Sequence, residues 1–360
     1  MKGSIKVLGL ITLCGALFFL GNKLLFTQQA QGVKPSEQSK AEDTTLQETY
    51  VSKVIISAPW AKKNLVYDGE ESPLGEFGVY QFVVPESLKD QVDAGLSEGP
   101  TSFAIAPNGD IYVTDPLNYR IQRFNSIGQF VSAITNIKGW VWNWRTLCVD
   151  QDNNIYLTWY DPNKVSVRRY DQAGKLHATY PLLEGRGGPA GTGLYCDKRG
   201  RLFFQSYPLS FQFGTTDEVF TPEQQKASLR KGVLGEDSSA EFKLYFKDLT
   251  TRQLIQYDSS GNITKRLPSA TGELFIGADE EGRIYTESFT YDNKYNVSSF
   301  IRKFDEKGNL ISTIQWYTAF GSSWGSDYWW GEREIVDKKG SIYIYYSTKE
   351  GITITKWYMP

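Results

Sequence analysis

An all-β fold, a six-bladed β-propeller of four-stranded antiparallel blades, is predicted by three features of the 360-residue chain. One strand-turn-strand pattern recurs five times along it. Its composition favours strands and hairpins, with 22 Tyr, 20 Phe, 10 Trp and 33 Gly. Where no insertion intervenes, the copies lie 44 to 58 residues apart, the length of a propeller blade. A quotient of roughly 150 residues per domain would suggest two domains, but repeated blades run longer as one unit.

The copies are Phe103 to Val113, Leu147 to Leu157, Leu194 to Phe204, Ile276 to Thr286 and Glu334 to Ile344. Each joins an apolar strand, through a turn of Asp, Asn or Gly, to an apolar strand centred on Tyr or Phe. A second pattern follows four of them, at Ile121 to Gly128, Val167 to Gly174, Leu254 to Gly261 and Ile301 to Gly308. The fifth copy stops at Ile352 to Trp357, so an N-terminal strand is expected to complete its blade. Residues 50 to 97 hold Val54 to Ile56, Leu65 to Tyr67 and Val79 to Val83, read as one further, degenerate blade. Residues 209–241 read as an insertion, with Thr221 and Pro222 opening a short helix toward Arg230, on either a lid or a surface loop.

The N-terminus combines Lys2 and Lys6 with an uncharged apolar run from Val7 to Leu20, the layout of an export signal. Residues 1–26 are therefore read as a signal peptide or signal anchor and 27–49 as a flexible polar linker. The propeller occupies 50–360, and the expected location is extracytoplasmic, secreted or held to the cell membrane by the N-terminal segment. Lys plus Arg number 39 against 41 Asp plus Glu, with no basic block, which argues against nucleic acid.

The run from Glu98 to Asp115, with Asn118, Tyr119 and Arg120 leading to Phe124, resembles an NHL repeat of the TolB-like propeller superfamily. That resemblance implies a six-bladed ring, usually a binding platform and only sometimes an enzyme. In the aligned copies Asp115 is replaced by Trp159, Ser206, Ser288 and Tyr346, so the acid is not repeated around the ring.

Short turns are expected on one rim and longer connections on the other, where binding residues concentrate. The long connections carry Trp140, Trp142 and Trp144; Arg186 among glycines; and Trp324, Tyr328, Trp329 and Trp330. These are the candidate ligand-binding residues. The tryptophans form either a platform for sugar rings, peptide side chains or an apolar ligand, or packing between blades. Arg186 would either reach an anionic group or remain a solvated side chain. The expected function is non-catalytic binding of an envelope protein, glycan or small ligand, with no catalytic residue and no required cofactor assigned.

His177 is the only histidine, which removes multi-imidazole zinc sites and serine triads with a spare base. The alternative is a metal-dependent lactonase or hydrolase. Glu98-Gly99-Pro100 is similar to the opening of gluconolactonase-like propellers, where the acid binds a divalent metal. That resemblance implies Glu98 as a ligand for calcium or another divalent metal, and Asp115, at the end of a second strand, is a candidate partner; the alternative is that Glu98 is a polar residue entering the first strand of a blade. The later acid and amide motif of that family is not found. Cys148 and Cys196 are expected as free thiols, with a disulfide between adjacent inner strands left open.

Overall fold

The structure is a computed structural model. It describes residues 50–81, 97–135, 137, 146–161, 164–183, 192–197, 199–206, 209–231, 233–236, 242–248, 253–257, 262–268, 274–291, 297–317, 334–347 and 350–360. The chain divides into units Met1–Thr44 and Thr45–Pro360, and every described residue belongs to the second. The signal or anchor segment 1–26 and linker 27–49 lie outside the described residues. Among those described, no helix is long and apolar enough to cross a membrane.

After β1 (Val51–Pro59) come a one-turn helix α1 (Leu65–Asp68) and a short pairing of β2 (Tyr80–Gln81) with β3 (Ser97–Glu98). Four-stranded antiparallel sheets follow in chain order. The first joins β4 (Phe103–Ile105), β5 (Ile111–Asp115), β6 (Arg120–Phe124) and β7 (Phe130–Ile134). The next joins β8 (Leu147–Val149), β9 (Ile155–Asp161), β10 (Lys164–Tyr170) and β11 (Leu176–Pro181). Then come β12 (Thr192–Cys196), β13 (Arg201–Ser206), β14 (Leu209–Thr215) and β15 (Arg230–Lys231), with helix α2 (Pro222–Ala227) before β15. The succeeding sheets are β16 (Val233–Glu236), β17 (Phe242–Asp248), β18 (Gln253–Tyr257), β19 (Ile263–Pro268), and β20 (Leu274–Ala278), β21 (Ile284–Tyr291), β22 (Val297–Phe304), β23 (Leu310–Tyr317). In the last, β24 (Glu334–Val336), β25 (Ile342–Ser347) and β26 (Gly351–Tyr358) accept β1 as their outermost strand. The fold is an all-β propeller with four-stranded antiparallel blades.

One local device builds the hairpins. At Asp150, Asp171, Asp197, Asp279, Asp305 and Asp337, Oδ1 accepts backbone N–H groups two and four residues on, at 2.8 to 3.1 Å. The Asn125 amide oxygen does the same. The residue three positions after each anchor has positive φ, and it is glycine except at Asn153. This is why Asp and Gly punctuate both repeated patterns.

Three of these glycines also set the spacing of blades. A Cβ on Gly128 would sit 1.6 Å from the Ile55 carbonyl oxygen, on Gly174 2.9 Å from Ile134 Cγ2, and on Gly308 2.4 Å from Leu267 Cδ2. Those neighbours lie on β1, β7 and β19, each the outermost strand of the adjacent blade. Buried apolar clusters fill the junctions from both strand faces. One joins Tyr112 and Ile134 to Leu147 and Leu157, and another joins Ile56 and Tyr345 to Phe103 and Val113. A third joins Tyr156 and Tyr180 to Phe204 and Phe213. Two more join Leu254 and Leu267 to Ile284, and Tyr285 and Ile301 to Ile342 and Ile344.

The closing strand is as expected: Val51 pairs with Tyr358 and, after a bulge at Ile55, Pro59 pairs with Gly351. Among the described residues the degenerate blade expected over 50 to 97 is not found: β1 belongs to the last sheet, and the described residues after it form α1 and β2. The presumed insertion 209–241 is corrected as well. Leu209 to Lys231 completes one sheet, and Val233 starts the next, whose third strand carries the Leu254 pattern. Asp237 to Glu241, between β16 and β17, contains neither Asn nor Gly, so this blade shows only the second repeated pattern.

Helix α2 begins as expected, with Thr221 and Gln224 forming a reciprocal capping box and Pro222 in the first turn. It is neither lid nor free loop. Buried Gln225 donates to Pro181 O at 2.7 Å and Phe220 O at 3.2 Å, fastening the excursion to the neighbouring blade. Cys148 and Cys196 are free thiols. His177 lies on the outer strand β11, its Nε2 2.8 Å from Asp171 Oδ2.

Replacing Gly75, which has φ 86° and no atom within 4 Å of an added Cβ, by Ala should cost about 1 kcal/mol of backbone strain. Gly128→Ala adds a collision with β1 and should cost about 3 kcal/mol or more in urea unfolding. Equal losses would show that the turn does not abut β1.

Hydrogen bonds from His177 and the Lys175 amide hold the Asp171 carboxyl below its usual value, and those from the Asn309 side chain and amide do so for Asp305. Lowered folded values mean stability that is full above the unfolded carboxyl value and is lost as pH falls through the folded one. Asp171→Asn with Asp305→Asn should keep both turns, as Asn125 does, and shrink the fall in melting temperature between about pH 5 and pH 2. An unchanged acid limb would assign that fall to other carboxylates.

Candidate functional site

β5 ends at Asp115, Pro116–Asn118 makes one tight turn, and Tyr119 then adopts a left-handed conformation (φ 52°, ψ 41°) before β6 begins at Arg120. A bulky residue there is strained by about 1 to 3 kcal/mol, so the surroundings must hold it. They do so through the fully buried Asp115. Its Oδ1 accepts the Gly78 N–H (3.1 Å) and Asn118 Nδ2 (3.0 Å), and its Oδ2 accepts Arg120 Nε (2.8 Å), Asn118 Nδ2 (3.1 Å) and Gln122 Nε2 (3.2 Å). Burial pushes this carboxyl upward, opposed by the Arg120 charge and by its donors at Asn118, Arg120 and Gly78.

The Arg120 side chain is only 1% exposed. Its Nη1 donates to Ser72 O (2.7 Å) and Glu71 Oε1 (3.4 Å), and its Nη2 to Ser72 Oγ (2.8 Å), Pro73 O (2.9 Å) and Glu76 O (2.8 Å). Asn118 Oδ1 accepts the amides of Leu65 and Ser72, and Gln122 binds Gly75 N–H and Glu76 O. A stretch of low regular structure is thereby clamped onto the β5–β6 end of a blade. Gly78 passes so close that a Cβ would lie 2.7 Å from Asn118 Nδ2.

This end of the blade also fixes both flanks of residues 138–145. Ile137 N–H donates to Tyr119 O at 3.1 Å. On the far flank, Thr158 Oγ1 accepts Thr146 N–H (3.1 Å) and Leu147 N–H donates to Ser102 Oγ (3.3 Å). Thr114 Oγ1 repeats the arrangement one blade earlier, accepting the amides of Thr101 and Ser102 at 3.0 Å. At the position aligned with Asp115, Trp159 is buried, its ring 3.6 Å from the Arg168 guanidinium carbon.

Trp140, Trp142, Trp144, Arg186, Trp324, Tyr328, Trp329 and Trp330 lie outside the described residues. Glu98 is described in its backbone, opposite Tyr80 in the β2–β3 pairing. Asp115 is the expected partner of Glu98 as a cation ligand. In the structure its two oxygens accept five hydrogen bonds, the shell of a structural acceptor. Among the described residues no group of three His, Cys, Asp or Glu is placed to hold a metal ion. Sequence reasoning missed Asn118, Tyr119 and Arg120 as a structural clamp. Their motif was visible, whereas the 64–78 segment they hold carries no repeat.

Arg120→Met should cost about 3 to 5 kcal/mol by leaving Asp115 buried and uncompensated, and should open residues 64–78 to limited proteolysis. Adding Asp115→Asn should recover part of that loss in thermal unfolding. Additive losses would mean that the two groups do not act as a pair.

No protein-family model and no curated protein sequence matches the chain. Among solved structures it is similar to a streptogramin B lyase, at 12% identity over 78% of this chain and 98% of that one, TM-score 0.44. Virginiamycin B lyase from Staphylococcus aureus gives 11% over 79% and 100%, TM-score 0.44. A gluconolactonase from Xanthomonas campestris gives 14% over 91% and 99%, TM-score 0.42.

Proposed function

We propose that the protein is an exported, membrane-tethered, NHL-like propeller of six blades that binds a ligand or partner without catalysing a reaction. The four-stranded sheets, with β1 completing the last, support the blade count. The binding rim would be the one on which outer strands connect to the next inner strands. The observation that carries this reading is the rigid mount beneath one such connection, Tyr119 held left-handed by the Asp115–Arg120 clamp and bonded to Ile137. That connection carries Trp140, Trp142 and Trp144 in sequence, and aromatic residues in a loop with fixed flanks suit glycan rings or an envelope protein surface.

Trp142→Ala with Trp329→Ala should leave the unfolding transition near that of the parent protein and abolish binding on a glycan array or to crosslinked envelope partners. An unfolded double variant would assign the tryptophans to packing between blades. Calorimetric titration with calcium, magnesium, manganese and zinc separates the enzymatic alternative. Saturable binding lost in Glu98→Gln would replace the platform with a metal-dependent lactonase.

A further inference from the structure

The β8–β11 blade repeats the clamp position of its predecessor with different chemistry. In the β4–β7 blade, Asp115 and Gln122 grip the 64–78 stretch, which follows β1, the outermost strand of the preceding sheet. Trp159 stands at the position aligned with Asp115, and Arg168 lies opposite Leu157 as Gln122 lies opposite Val113. Trp159, Leu157 and Tyr170 face the β4–β7 blade, packed with Ile134, Ile137 and Tyr119. Ile137 opens the connection that follows β7, again an outermost strand, and that carries Trp140, Trp142 and Trp144 in sequence.

The half-buried Arg168 stacks on this face, its guanidinium carbon 3.6 Å from the centre of the Trp159 ring. Its Nε is buried and has no hydrogen-bond partner. Burial holds the Tyr170 hydroxyl above its usual value, opposed by the hydrogen bond it receives from Arg168, so this contact brings no negative charge. Arg120 and Arg123 are paired with Asp115 and Asp110, whereas among the described residues no carboxylate pairs with Arg168. With Nε sealed from water and unbonded, solvent compensates this charge only in part, and an anion at the remaining guanidinium edge completes it. Arg169, next along β10, points to the opposite face and donates to Thr216 O. One guanidinium balances one negative charge, which a carboxylate carries and a phosphomonoester exceeds.

We propose that the Trp159–Arg168 pair is a carboxylate subsite at the edge of the binding rim, taking the acid group of a uronic-acid-type sugar. The assignment rests on the reading of that rim as a glycan platform: the tryptophans that follow Ile137 would receive sugar rings, and Arg168 the carboxylate of one of them. A guanidinium already held against an indole has little orientational freedom left to lose, so the pair selects acidic over neutral sugars.

The test is calorimetric titration of the full chain, at constant ionic strength, with tetragalacturonate and with its fully methyl-esterified form, which keeps the sugar rings and removes the charge. The acid is expected to bind about tenfold tighter than the ester or more. Arg168→Gln should abolish that preference and leave ester binding and the melting temperature near those of the parent protein. Arg168→Lys, which keeps the charge without the planar fork, should recover only part of the preference, and Lys175→Ala should change neither ligand. Equal binding of acid and ester by the parent protein, or a preference that survives in Arg168→Gln, overturns the subsite and leaves the glycan platform standing. Binding of neither sugar overturns the subsite as well, and the glycan array then decides the platform by itself. A peptide of alternating Glu and Gly that binds through Arg168 where tetragalacturonate does not overturns the sugar class in favour of an acidic protein segment.

Discussion

The pairing of β1 with β26 is the constraint on which the ring depends. In a propeller each sheet has its faces covered only by its neighbours, so a missing outer strand uncovers the turn beside it as well as its own edge. Here the first described strand of the chain supplies that edge to the last, and the bulge at Ile55 places its carbonyl under Gly128 of the β4–β7 blade. Joining the two ends of some three hundred residues is affordable because the entropy of loop closure grows only with the logarithm of length.

A second tie lies at the other end of β1. After Trp60 the chain enters the stretch gripped by Arg120, whose guanidinium reaches the Ser72, Pro73 and Glu76 carbonyls as well as Asp115. A buried ion pair of this kind contributes little net stability compared with an apolar core of the same volume, since both charges have lost their water. What it does supply is register. A planar guanidinium with fixed donor directions accepts one path of the backbone past it, whereas an apolar contact would tolerate several.

The legible parts of the fold are those encoded over a few residues. Asp171 and Gly174, or Asp305 and Gly308, announce a hairpin because the side chain and the left-handed residue that make the turn lie three positions apart. The β16–β19 blade is only half legible because Asp237 to Glu241 offers no such signal: β16 falls within the expected insertion and β18 shows the Leu254 pattern, while Leu65 to Tyr67, read as part of a further blade, forms a helical turn. The Arg120 clamp was half legible: its motif was plain, but its partners at Ser72 to Glu76 lie about fifty residues away and contribute mainly carbonyl oxygens, which every residue possesses. The tryptophan connections were read from composition and chain order, which identify a rim but not a geometry.

β1 runs the full height of its blade, from Tyr50 beside Lys303 on the turn rim to Pro59 on the rim of the Arg120 clamp. A force applied between the latter rim and residue 50 would therefore travel along the strand axis. Its rungs to β26 are then strained together in shear and not peeled singly, so the closure of the ring doubles as a tensile member.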